Sequence, residues 1–209
     1  MPSIYDLKPR FQALLRPITR TLAARGVTAN QVTIAAAVLS LATGALVAWR
    51  PDSRPAFLCV PLVLLVRMAL NAIDGMLARE HGLKSRLGAV LNELGDVLAD
   101  AALYLPLALV AGVSPVAVTL LVVLGIVSEM AGVVALQVGA ERRYDGPLGK
   151  SDRAFAVGLV FFLLGCGVPT GTWLNLALWA MAALAVVTIL NRSRRALVIA
   201  AGGASGNTD

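Results

Sequence analysis

Polar and apolar positions are closely interleaved only at the start of this chain. Among the first 25 residues, Ile4, Leu7, Phe11, Leu14, Leu15 and Ile18 recur at three- and four-residue steps between Lys8, Arg10, Arg16 and Arg20. That spacing gathers the apolar side chains on one side of a helix and predicts an amphipathic segment lying on a membrane surface. Long apolar runs follow at 31–49, 56–78, 87–111, 113–138, 154–168 and 172–190. A hydrocarbon core of about 30 Å takes roughly 20 apolar residues as helix, and each run meets or approaches that length. The expected fold is all-α: a polytopic membrane protein with six transmembrane helices and an N-terminal amphipathic surface helix. The fifth run is short, so its helix is expected to begin earlier, near Lys150. Residues 1–25 form a juxtamembrane segment, 26–195 the six-helix membrane domain, and 196–209 a polar tail, expected to be disordered from Gly202 onward. No short apolar run occurs within the first 25 residues, so no cleavable signal is expected.

Composition agrees with this reading. At 58% hydrophobic and 14% charged residues, a 209-residue chain is too apolar for an ordinary soluble domain. The net charge of +6 reads as membrane topology rather than nucleic-acid binding. With the N-terminus in the cytosol, the inner segments hold Lys8, Arg10, Arg16, Arg20 and Arg25; Arg79, Lys84 and Arg86; Arg142, Arg143, Lys150 and Arg153; and Arg192, Arg194 and Arg195. The outer loops hold only Arg50 and Arg54. That asymmetry predicts cytosolic termini. Cys59 and Cys166 read as buried small hydrophobes, and His81 as a solvated loop residue.

Polar residues inside the second and third runs carry the chemistry. The second run has Arg67, Asn71, Asp74 and Ala78 at steps of four, three and four, on one helix face. The third has Gly88, Asn92, Asp96 and Asp100 at steps of four. Antiparallel neighbouring helices bring residues to one depth when their numbers have a constant sum. Asp74 with Asn92, Asn71 with Asp96, and Arg67 with Asp100 meet that condition to within one residue. Three polar layers follow, with Arg67 and Asp100 as a buried ion pair and Glu129 as a second candidate partner for Arg67. Ionisable groups in a bilayer are costly and usually functional. Oxygen donors without His or Cys suit a hard cation such as Mg²⁺ or Mn²⁺, an ion that normally meets phosphate. Arg79, one turn beyond, can neutralise phosphate oxygens. Gly75, Ala78 and Gly88 leave room for a flat or bulky ligand beside the helix backbones, or serve close helix packing.

These residues resemble the signature of the CDP-alcohol phosphatidyltransferases, D-x2-D-G-x2-A-R-x8-G-x3-D-x3-D. The chain reads Asn71-x2-Asp74-Gly75-x2-Ala78-Arg79-x8-Gly88-x3-Asn92-x3-Asp96, matching every spacing and six of eight identities. The stretch GVTANQVT at 26–33 is similar to the family's motif ahead of the first span. The resemblance implies six helices, a homodimer, and a cytosol-facing cavity open to lipid in which an alcohol displaces CMP from a CDP-linked lipid. It places Asp74, Gly75, Ala78 and Gly88 around the cytidine end and Arg79 at the diphosphate. It gives divalent ions to Asn71, Asp74, Asn92 and Asp96, with Asp96 also the general base. The first and third aspartates of the pattern are Asn71 and Asn92 here. Two negative charges are gone, so one Mg²⁺ or Mn²⁺ is expected rather than two, with Glu93 a candidate substitute carboxylate.

Lys150 and Arg153, on consecutive turns where the fifth helix opens, read either as a positive-inside flank or as a pocket for an acceptor's phosphate. The function expected is phospholipid synthesis in a cell membrane, that of a bacterial inner membrane: a phosphatidyl group passes from CDP-diacylglycerol to a small alcohol, phosphorylated or not. A non-catalytic relative that binds CDP-lipid is the alternative. A transporter would need polar residues continuing through the outer halves of the runs, which are almost bare of them.

Overall fold

The structure, a computed structural model, describes residues 4–204, with side chains over 10–201. Among the described residues there are seven α-helices and no strand: α1 (Ile4–Ala24), α2 (Ala29–Trp49), α3 (Arg54–Glu80), α4 (Arg86–Tyr104), α5 (Pro115–Val134), α6 (Lys150–Gly165) and α7 (Thr172–Ala204). Four segments are long and apolar enough to cross a membrane: Ala29–Trp49, Arg54–Glu80, Pro115–Val138 and Thr172–Ala201. The third and fifth expected runs also form helices, but α4 carries Arg86, Glu93, Asp96 and Asp100 in 19 residues and α6 is only 16 residues long.

The boundaries follow local chemistry. The third run was read as helix to Ala111, but α4 stops at Tyr104 and a 3₁₀ stretch, Leu105–Leu109, replaces its end. Pro106 lacks the amide donor that an α-helix would need there. A second 3₁₀ stretch, Ala135–Val138, closes α5 and ends at Gly139 with φ 82°. Helix α6 begins at Lys150, as expected. Within the segment set apart as a polar tail, 196–204 continue α7, and 205–209 lie outside the described residues. Cys166 is exposed and Cys59 half-buried, so neither is the buried hydrophobe expected.

The chain divides into two compact units, residues 1–45 with 62–103, and residues 46–61 with 104–209. In the first, GVTANQVT is punctuation between two helices. The Val27 amide donates to the Leu22 carbonyl and the Gly26 amide to Ala23, with Gly26 at φ 75°. That is a Schellman stop, which needs a residue free to adopt a left-handed backbone. Thr28 then starts α2: its hydroxyl accepts from the Gln31 amide at 3.3 Å, and the Gln31 side chain accepts from the Thr28 amide at 2.9 Å. Leu15, Ala29, Val32, Ile73, Met76 and Leu77 form the apolar cluster beneath. Helices α2 and α4 approach at backbone distance: a Cβ on Gly44 would lie 2.0 Å from the Ala102 carbonyl oxygen.

In the second unit, Ala117, Val118 and Leu121 of α5, Val157, Phe161 and Leu164 of α6, and Leu174, Leu178 and Ala185 of α7 are buried. The Phe57 ring meets Phe161 at 5.9 Å between centroids. Buried hydroxyls in both units turn back on their own helices. Thr19 donates to the Leu15 carbonyl, Ser40 to Ala36 and Thr188 to Leu184, which satisfies a polar group without water.

Candidate functional site

The first unit brings most of the polar positions of α3 and α4 together. Arg67 is buried, with 4% of its surface exposed, and its Nη1 donates to Asp100 Oδ1. Its Nη2 donates to the Asp96 carbonyl oxygen at 3.0 Å and to Asp96 Oδ1 at 3.3 Å. One guanidinium therefore bridges two carboxylates one turn apart, which leaves the set with one net negative charge. Asn71 Nδ2 donates to the same Asp96 Oδ1 at 3.1 Å. Two of the three layers read from the sequence thus appear as direct bonds, Arg67–Asp100 and Asn71–Asp96. Asp74 is buried, and its Oδ2 accepts from Thr33 Oγ1 at 2.8 Å. Asn92 and Glu93 are half-buried on α4. Among the described residues no three His, Cys, Asp or Glu side chains converge as a metal cluster.

The glycine faces are not bare. A Cβ on Gly75 would lie 3.0 Å from Arg79 Nη2 and 3.2 Å from its Nη1, so the guanidinium lies along the glycine. A Cβ on Gly88 would lie 2.6 Å from Asn30 Oδ1 and 3.0 Å from Ser85 Oγ. Ser85 Oγ also accepts from the Gly88 amide at 2.9 Å. The space expected at both glycines is thus lined by side-chain ends that can move aside. Ala78 packs against the apolar cluster of this unit.

The other two site candidates belong to the second unit. Arg153 is 2% exposed; its Nη2 donates to Glu129 Oε1 at 2.9 Å, and its Nη1 to Ser128 Oγ at 2.9 Å and the Leu148 carbonyl at 3.3 Å. Glu129, expected as a second partner of Arg67, pairs with Arg153, with Arg192 at 3.4 Å and with Arg142 at 3.6 Å. Lys150 is half-buried as the first residue of α6. In the loop before it, Asp145 accepts two bonds from Arg143, at 2.8 and 2.9 Å, and pairs with Arg195 at 3.3 Å. Those guanidiniums hold its carboxyl below the ordinary aspartate value, the Arg143 bonds most of all.

Sequence reasoning missed Thr33 and Arg192. Thr33 had a signal, since it closes the motif GVTANQVT. Arg192 had none, being one of three basic residues counted only as a flank.

A model of the family described as CDP-alcohol phosphatidyltransferase matches residues 26–198. The inner membrane protein YnbA of Escherichia coli (strain K12) is 44% identical over 202 residues, which cover 95% of this chain and 98% of that protein. The crystal structure of Mycobacterium tuberculosis phosphatidylinositol phosphate synthase with CDP-DAG bound is similar with a TM-score of 0.72 at 26% identity, covering 86% of this chain and 92% of that one. The same enzyme in complex with manganese and citrate gives a TM-score of 0.72 at 26% identity, over 87% and 88% of the two chains.

Proposed function

Given that the chain belongs to the CDP-alcohol phosphatidyltransferase family, we propose that it transfers a phosphatidyl group from CDP-diacylglycerol to a small alcohol and releases CMP. The observation that carries this is the cluster of Asn71, Asp74 and Asp96, held by Thr33 and Arg67 beside Gly75 and Arg79. The likeness to a synthase structure with CDP-DAG bound supports the donor.

The donor set suits one hard cation. Asp74 and Asp96 supply two carboxylates, enough to balance one dication, while Asn92 adds a carbonyl oxygen. Asn71 spends its Nδ2 on Asp96 and keeps its carbonyl oxygen for an ion. Mg²⁺ or Mn²⁺ would be held by these four residues, and when bound it stabilises the charge that gathers on the diphosphate. The chain's own groups do the rest. Gly75, Ala78 and Gly88 border the cytidine, and Arg79 swings from the face of Gly75 to the diphosphate oxygens. Asp96 takes the proton of the alcohol hydroxyl. The alcohol oxygen then bonds to the phosphorus carrying the diacylglycerol, and the bond from that phosphorus to the CMP oxygen breaks with its electron pair on CMP.

In this reading α2–α7 are six spans and the site faces the cytosol, as the distribution of Lys and Arg supports. Helix α1 lies on the bilayer surface of a bacterial inner membrane, with Leu14 and Ile18 exposed for lipid and a two-bond Arg16–Glu80 pair tying it to the end of α3. The working form is a homodimer. The test is CMP release from CDP-diacylglycerol by the purified protein with Mn²⁺ and a panel of alcohols. Release that is lost in Asp96→Asn supports transfer. No release with any alcohol, while CDP-lipid still binds, establishes the non-catalytic reading.

A further inference from the structure

We propose that the second unit carries a binding site for a zwitterionic phospholipid headgroup, with Arg54 for its phosphate and Asp52 for its ammonium. A cavity of about 370 Å³ opens here, a volume in the range of small-ligand pockets. Its walls come from the stretches 51–57, 109–111 and 164–170, all of them within this unit. The apolar segments Arg54–Glu80, Pro115–Val138 and Thr172–Ala201 each begin within or a few residues beyond those stretches. The cavity therefore lies at the level where spans give way to lipid headgroups, at the end of α7 away from Arg192. It does not depend on the transfer reading.

Arg54 is the exposed first residue of α3, and among the described residues its side chain makes no hydrogen bond and no ion pair. A Cβ on Gly167 would lie 3.0 Å from its Cζ, 3.1 Å from Nη1 and 3.2 Å from Nη2. Such near-equal distances set the flat of the guanidinium against the glycine, so the N–H donors in its plane stay open. Gly167 itself has φ 91°, a left-handed backbone that suits glycine. Two residues earlier, a Cβ on buried Gly165 would lie 2.6 Å from Leu58 Cδ2 and 3.3 Å from the Arg54 carbonyl oxygen. The start of α3 is thus seated on the end of α6, and its fork of donors matches the oxygens of a phosphate. Neighbouring loops are pinned too. Trp173 Nε1 donates to the Pro169 carbonyl at 3.0 Å, and Asn175 ties the Ser114 amide at 2.8 Å to the Gly112 carbonyl at 3.1 Å.

Asp52 lines the same cavity and makes it a poor fit for a ligand bearing negative charge alone. Its ion pair with Arg50, at 4.0 Å between two exposed side chains, is a contact worth little. The carboxylate is therefore left to attract an ammonium. Phe57 and Leu164 are buried in the cavity wall, while Leu109 and Val168 are exposed at its rim and offer hydrocarbon a place to lie. Phosphate, ammonium and hydrocarbon together describe a phospholipid whose headgroup bears an amine. In the topology read from Lys and Arg, it belongs to the outer leaflet.

The test uses the full-length protein, stripped of lipid in detergent, with dioleoyl phosphatidylethanolamine as probe and bound lipid counted by native mass spectrometry. The native protein should bind it about tenfold more tightly than Arg54→Gln does, the scale of a charge-assisted contact. Arg54→Lys, a point charge without the fork, should fall between. Dioleoyl phosphatidylglycerol, with phosphate but no amine, should bind the native protein more weakly, and Asp52→Asn should narrow that gap. Lipid-free Arg54→Gln should melt with the native protein, since no bond is lost; melting well below it overturns the reading of Arg54 as open to a ligand. Equal affinity of the native protein and Arg54→Gln, or a native preference for phosphatidylglycerol, overturns the proposal. Free phosphoethanolamine bound as tightly as the lipid overturns the lipid assignment.

Discussion

Removing Arg67 should cost more than removing Asp100, and the difference can be worked out from the bonds. Arg67 holds Asp100 with one bond and Asp96 with two, one to its carbonyl and one to its carboxylate. Asp100→Asn leaves an acceptor for Nη1 and leaves the Asp96 charge opposite the guanidinium. The loss is one charge-assisted bond reduced to a neutral one, about 1 kcal/mol. Arg67→Met instead strands Asp100 and Asp96 together, and breaking a buried pair from one side costs about 3–5 kcal/mol. At roughly 2–4 °C per kcal/mol for a chain of this size, a difference of about 2–4 kcal/mol should set the two variants about 4–16 °C apart. Arg67→Met combined with Asp100→Leu removes the stranded charge and should melt above Arg67→Met alone. Asp96, with 19% of its side chain exposed and Asn71 still bonded to it, tolerates the loss. The assay is thermal unfolding of detergent-solubilised protein followed by intrinsic fluorescence. Equal losses in Asp100→Asn and Arg67→Met, or strictly additive losses in the double variant, would refute the shared-cation account.

Three further outcomes follow from the same geometry. Calorimetric titration with Mn²⁺ should show weak binding alone and clear binding with a CDP-lipid present, because two carboxylates need the diphosphate's charge; Asn71→Asp with Asn92→Asp should bind more tightly, and two ions held by the native protein without lipid would overturn this. Gly44→Ala should lower the melting temperature sharply, by the 1–3 kcal/mol or so typical of overpacking at the least, since its Cβ would meet a backbone carbonyl that cannot rotate away. Asp145 has a lowered pKa in the folded protein, so its stabilising contribution is present above its unfolded value of about 3.9 and disappears as pH falls through the lower folded value. Unfolding measured down that acid range should lose this component in Asp145→Asn, and an unchanged acid profile in that variant would contradict it.

What was legible in the sequence was what repeats along one helix or mirrors across two. The constant-sum rule found Arg67–Asp100 and Asn71–Asp96 because antiparallel helices convert spacing into depth. The start of α6 at Lys150 and the stop at Gly26 follow from local rules as well. Pro106 carried a signal that the long apolar run concealed: hydropathy measures how greasy a segment is and ignores a missing amide donor. Glu129 and Arg192 lie 63 residues apart in sequence, and nothing periodic links them. Their pairing depends on how α5 and α7 pack. The same holds for Gly44, whose place in an apolar run gives no hint of the carbonyl opposite. Thr33 closes the motif GVTANQVT, but only the fold shows that its partner is Asp74.

The hydroxyl of Thr33 stands 2.8 Å from Asp74 Oδ2 and 3.1 Å from the Ala29 carbonyl oxygen, and it has one proton to give. It is therefore a two-position switch whose settings differ by a rotation of a hydrogen, with no heavy atom displaced. With the proton pointing at the carboxylate, the hydroxyl fixes the plane of Asp74. Were a cation to take that oxygen, the proton could turn to Ala29, which would leave no donor orphaned and free the oxygen for its new partner. The carboxylate is thus held in place before a ligand arrives without being locked against it. Thr33→Val would keep the packing and abolish both settings, so its effect should fall on the rate at which the ion is captured rather than on the fold.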